Sequence, residues 1–113
     1  MIVRLANVDA PETDQPFGKR AGRALHDLTY GKKVEIDYRG EYPYRERERE
    51  IIGVIHAPYD VAEEMVREGM AWDYVRYDTD PAIPCLEQQA RAGHLGLWSQ
   101  LGAIPPWEWR HAH

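Results

Sequence analysis

Arg4-Leu5-Ala6-Asn7-Val8-Asp9-Ala10-Pro11-Glu12-Thr13-Asp14 is the stretch that decides the reading of this chain. Met1 to Val8 (MIVRLANV) reads as a strand that begins at once. Asp9 to Asp14 follows as a polar loop, and Pro11 biases Ala10 to extended backbone, as at a strand end. Arg4, Asp9, Glu12 and Asp14 therefore collect around one strand end. Carboxylates this close suit a hard cation, which takes oxygen ligands and accepts a backbone carbonyl such as that of Ala10. They equally suit a solvated loop that holds nothing, and spacing alone leaves both open.

Downstream, Phe17, Ala21, Ala24, Leu25 and Leu28 fall at helical spacing, with Gly31 as a stop. Lys33 to Tyr38 alternates charged and apolar residues, as a half-buried strand does. Ile51 to Ile55 is an apolar strand core. Asp60 is a candidate N-cap for a second helix with Val61, Met65 and Val66 inward and Gly69 as its end. Pro81 suits the first position of a third helix, with Leu86 and Ala90 inward. The tail Ile104-Pro105-Pro106-Trp107-Glu108-Trp109 is too rich in proline for a helix or central strand, and its tryptophans are expected to pack back on the body. Early strands and late helices indicate a single α+β domain over residues 1–113.

Composition bounds the rest. A chain of 113 residues with 43% hydrophobic content supports one domain with its own core. The lone Cys85 excludes an internal disulfide framework and a cysteine-rich zinc module, and reads as buried or incidental. No apolar run approaches a membrane span, and Arg4, Asp9 and Glu12 interrupt any leader, so the cytoplasm is the default expectation. A net charge of −5 argues against a bulk electrostatic nucleic-acid binder but leaves room for a local cationic site. Eleven of the fourteen cations are arginine, which favours forked contacts to carboxylate or phosphate.

Arg45, Arg47 and Arg49 alternate with Glu46, Glu48 and Glu50. On a strand the three guanidinium groups share a face and can clamp a phosphate, or merely protect an exposed edge by charge. Tyr42, Tyr44, Trp72, Tyr74 and Tyr77 offer aromatic faces on which a nucleobase can stack; core packing is the alternative.

The Arg4–Thr13 run resembles the active-site strand and loop of the staphylococcal nuclease (thermonuclease) family, whose signature is R-L-x-x-[VI]-D-[TA]-P-E. Gln15-Pro16-Phe17-Gly18, Gly31-Lys32-Lys33-Val34, Val66 to Trp72 and Pro105 to Arg110 extend the resemblance over nearly the whole chain. It implies an OB-fold-type β-barrel with three helices, cleavage of DNA or RNA phosphodiesters, and calcium as cofactor. By position, Arg4 would contact the scissile phosphate, Asp9 and the Ala10 carbonyl would ligate calcium, and Glu12 would act as general base. Counting back from Asp60-Val61 puts the second phosphate arginine at Arg49, with Arg47 as the alternative register. Tyr77 matches a nucleotide-packing position, and Tyr74 joins it as a substrate contact.

Two departures follow. The family's D-x-Y-G-R turn is replaced by Arg45-Glu46-Arg47-Glu48-Arg49. The first two barrel strands, which carry another calcium-binding aspartate, are expected to be missing. The ion would then keep Asp9, a carbonyl and mostly water, with Asp14 as a substitute ligand. The edge left by those strands is expected to be covered in a homodimer. The alternative function is a catalytically impaired nuclease-like domain that binds nucleic acid or a protein partner.

Overall fold

The computed structural model describes Ile2–Glu41 and Glu50–Ala112. The Tyr42–Arg49 segment, with Arg47, Arg49, Tyr42 and Tyr44, lies outside the described residues.

The opening segment forms two strands, β1 (Ile2–Leu5) and β2 (Val8–Asp9), where the sequence predicts one. Asn7 separates them with φ of 72°, a left-handed conformation that asparagine tolerates better than most residues. Its side-chain Oδ1 accepts from the Thr79 backbone N–H (2.9 Å) and hydroxyl (3.1 Å), and its carbonyl accepts from the Tyr74 N–H (3.0 Å). The kink thus hands the chain from one sheet to another. β1 pairs in parallel with β4 (Glu50–His56), and β4 pairs antiparallel with β3 (Glu35–Glu41). β2 pairs antiparallel with β5 (Trp72–Asp73). Among the described residues the strands make a three-stranded and a two-stranded open sheet, not a closed barrel.

Helix α1 (Gly18–Thr29) buries Ala21 and packs Ala24, Leu25 and Leu28 against the core. Helix α2 (Val61–Arg67) is capped as its sequence predicts: Asp60 Oδ1 accepts from the Glu63 N–H at 3.1 Å. Its Val61, Met65 and Val66 are fully buried and centre the core. Helix α3 (Ala82–Ala92) adds Ile83, Leu86 and Ala90, and a 3-10 turn (Gly96–Ser99) adds Leu97. No helix among the described residues is long and apolar enough to cross a membrane.

Three expectations are corrected. The proline-rich tail does form a helix, α4 (Pro106–Ala112), which makes four α-helices among the described residues rather than three. Proline is harmful inside a helix but costs nothing at its first position, where its missing N–H would have no partner anyway. Strand β3 forms, yet Val34, Ile36 and Tyr38 are exposed, so alternation does not bring burial here. Of the two readings of Cys85, exposure removes the buried one and leaves the incidental one.

Candidate active site

β2 ends in Asp9, and the loop after it turns back on itself. Glu12 N–H donates to Gln15 Oε1 (3.0 Å) and Gln15 N–H donates to the Glu12 carbonyl (2.9 Å). Gly18 then approaches this loop so closely that a Cβ there would lie 1.8 Å from the Glu12 carbonyl oxygen. The start of α1 is therefore a template for the Glu12 backbone, and only glycine fits it.

The C-terminal tail closes the other side. Buried Gln15 donates its side-chain amide to the Ile104 carbonyl. Trp109 Nε1 donates to Asp14 Oδ1 at 3.2 Å. Arg110 forks onto both predicted functional carboxylates: Nη2 donates to Asp9 Oδ2 (2.6 Å), and Nη1 donates to Asp9 Oδ1 (3.1 Å) and Glu12 Oε1 (2.6 Å). Asp9 and Glu12 are thereby brought together around one positive charge.

The electrostatics follow from that geometry. Burial pushes the Asp9 carboxyl above its usual range, against the opposing bond and charge of Arg110 and the weaker pull of Arg4. The Asp9 bond holds Arg110 firmly protonated. Burial also raises the Tyr74 hydroxyl, helped by the nearby Asp9 charge.

The remaining predicted residues distribute as follows. Arg4 lies on β1 with its side chain half exposed, 3.5 Å from Glu50 Oε1 on the neighbouring strand. Asp14 is exposed and turned to Trp109. Tyr74 is stacked flat on Trp107 with centroids 5.4 Å apart, and meets the Tyr77 ring edge-on at 4.8 Å. Tyr77 is 58% exposed, with the Arg76 guanidinium 5.6 Å from its ring centroid. Trp72 is buried against Trp98 and Trp107 and serves packing. An open hollow of about 810 Å³ borders the Glu12 loop and is lined in part by Asp14, Phe17, Lys19 and Arg20.

The donor chemistry fits a hard cation. Asp9 and Glu12 present carboxylate oxygens already gathered around a positive group, and Ala10 follows Asp9 in the chain. Elsewhere among the described residues, Asp60, Glu63 and Asp80 bring one carboxylate oxygen each within 4.8 Å of the others. Two of those groups bond backbone at helix starts: Asp60 caps α2 through the Glu63 N–H, and Asp80, just before α3, accepts from the Ala82 N–H.

Sequence reasoning missed Arg110, Gln15 and Gly18 as parts of this site. Arg110 stands in the quoted Pro105–Arg110 motif, and that motif was its one available signal. Its role depends on the tail returning across about a hundred residues, which no local pattern encodes.

Comparison with known proteins agrees with the geometry. An endonuclease of Escherichia coli, itself uncharacterised, is 41% identical over 111 residues, spanning 96% of this chain and 70% of that protein. A second uncharacterised endonuclease, from Haemophilus influenzae, is 38% identical over 108 residues, spanning 96% and 59%. A micrococcal nuclease of Shigella flexneri is 39% identical over 122 aligned positions, spanning 97% and 68%. The sequence model of the family described as staphylococcal nuclease homologue matches residues 2–100, and to that family this chain belongs.

Proposed function

We propose that this chain is a calcium-dependent nuclease that hydrolyses phosphodiester bonds of DNA or RNA. The observation that carries the reading is the convergence of Asp9 and Glu12 on a loop bonded from both sides, with the Arg4 charge acting on Asp9. Family membership and the nuclease names of the relatives support it.

In this reading Asp9 and the Ala10 carbonyl hold the ion, and Asp14 is an additional candidate ligand. Bound calcium supplies positive charge that polarises the phosphate. Glu12 accepts a proton from the attacking water or orients it. Arg4 and Arg49 donate to the non-bridging oxygens, where negative charge grows in the transition state. Tyr77 offers its exposed ring to a base, and Tyr74 with Trp107 forms the wall behind it. Lys19 and Arg20, at the hollow beside Glu12, supply positive charge for the flanking phosphates. The net charge of −5 is no obstacle, because the cations needed are local.

A barrel completed by further strands, or by a second copy along β1, belongs to the same proposal. β1 is an outer strand of its sheet among the described residues, and Ile2, Ile36 and Tyr38 are exposed. A solution mass of one chain would count against the second copy.

The test is cleavage of supercoiled plasmid and of single-stranded DNA and RNA with calcium, with EDTA and with Glu12→Gln. Cleavage should require calcium and fall about 10²–10⁴-fold in the variant. Cleavage indifferent to both EDTA and the substitution would reject the mechanism.

A further inference from the structure

We propose that Arg110 is a positioning residue of the site: it occupies the cation position between Asp9 and Glu12, and calcium must displace it from Asp9. The inference rests on the calcium-dependent reading above, and deepens it by assigning the tail a part in metal binding.

The argument starts from valence. Asp9 has two oxygens, and both accept from Arg110, at 2.6 and 3.1 Å. The same Nη1 that meets Asp9 Oδ1 also reaches Glu12 Oε1 at 2.6 Å. One planar cation thus bridges two carboxylates. Bidentate pairing with a guanidinium directs both Asp9 oxygens into one plane and occupies a lone pair on each. A divalent ion needs those same oxygens at shorter range. Two positive groups drawn to the same pair of oxygens repel each other, so the ion and the guanidinium compete for Asp9.

The surroundings favour a bistable arrangement over simple loss of the tail. Gln15 holds Ile104 and Asp14 holds Trp109 independently of Arg110. Trp107 is wedged between Tyr74 and Trp72. The tail therefore stays docked when Arg110 lets go of Asp9, and the guanidinium swings locally while keeping Glu12 within reach. Before metal arrives, Arg110 neutralises two carboxylates that would otherwise repel each other and splay the loop. Once metal arrives, the freed guanidinium stands beside the position of a bound phosphate.

The experiment measures calcium itself. Isothermal titration with calcium alone should give a Kd about tenfold lower for Arg110→Met than for the unsubstituted protein, with Arg110→Lys between them, because a competing cation has been removed. In the unsubstituted protein, the Arg110 side-chain Nε–H resonance should shift as calcium is added, since its guanidinium leaves Asp9. An equal or weaker calcium affinity in Arg110→Met overturns the proposal. So does an Arg110 Nε–H signal that stays fixed at saturating calcium, which needs no variant at all, and so does a failure of either protein to bind calcium. Cleavage is scored separately. Calcium-dependent cleavage with an unchanged Kd rejects displacement and keeps the nuclease reading, whereas a tightened Kd without cleavage does the reverse.

Discussion

Arg4 and the arginine proposed as its partner on the phosphate are constrained in different ways. Arg4 sits on a regular strand, and the parallel register that sets it beside β4 also brings Glu50 within 3.5 Å. That pairing steadies the guanidinium without burying it. The second arginine belongs to the Arg45-Glu46-Arg47-Glu48-Arg49 run, where residues two apart share a face if the run is extended. The proposed mechanism asks only one of Arg47 and Arg49 to donate to the scissile phosphate. Lysine keeps the charge at either position but loses the forked geometry. Arg49→Lys is expected to lower kcat by about 10²–10³-fold, in the range of a lost oxyanion donor. Arg47→Lys should change it by less than about fivefold. Steady-state cleavage of a short labelled duplex reads both, and the opposite ranking would move the catalytic role to Arg47.

Helix α1 does more for the site than cover the core. Its first residue, Gly18, follows Phe17, whose φ is 72°, so the chain turns sharply into the helix directly over the Glu12 loop. A methyl group at Gly18 would meet the Glu12 carbonyl oxygen at 1.8 Å and the Thr13 carbonyl carbon at 2.9 Å. Both obstacles are backbone, so no side chain can rotate out of the way. The helix or the loop must move, and the loop carries Glu12. Gly18→Ala should therefore cost about 1–3 kcal/mol of stability from overpacking. It should also cost about 10²-fold in kcat, because a displacement near 1 Å spoils the alignment of a catalytic group. Urea unfolding and cleavage kinetics on the same preparation separate the two losses. A variant that is destabilised yet fully active would show that α1 does not position Glu12. The contrasting helix is α2, whose Asp60 cap and buried Val61, Met65 and Val66 are local features and act locally.

Seen over the molecule, what could be read in advance was what is encoded locally. The Ala21–Leu28 stripe and the Asp60 cap each occupy a short window, and each appears as expected, whereas the Arg4–Glu12 run is divided between two strands where the sequence predicts one. The kink at Asn7 is held by Thr79, 72 residues away, and the C-terminal tail reaches the site through contacts spanning 89 to 101 residues. The exposed face of β3 has the right period, but period says nothing about whether a covering layer is present. Asp73 belongs to this long-range class too. It pairs with Val8 across the small sheet, is buried, and shares its surroundings with Asp78 and Glu87, while its N–H donates to Glu87 Oε2 at 2.6 Å. Burial first, then the Asp78 and Glu87 carboxylates, push its pKa up to about 7. In the unfolded chain the group titrates near its ordinary value of about 4. The folded protein therefore binds this proton more tightly, and the stability it contributes is complete below about pH 4 and lost as pH rises toward about 7. Thermal unfolding at fixed ionic strength should show Tm falling by a few °C, on the order expected for about 1 kcal/mol, between pH 5 and pH 7.5. Asp73→Asn keeps the shape but removes the titration, so its Tm should be flatter across that window. If the variant keeps the full slope, the proton is held elsewhere, and the junction of β2 and β5 is not what links this fold to pH.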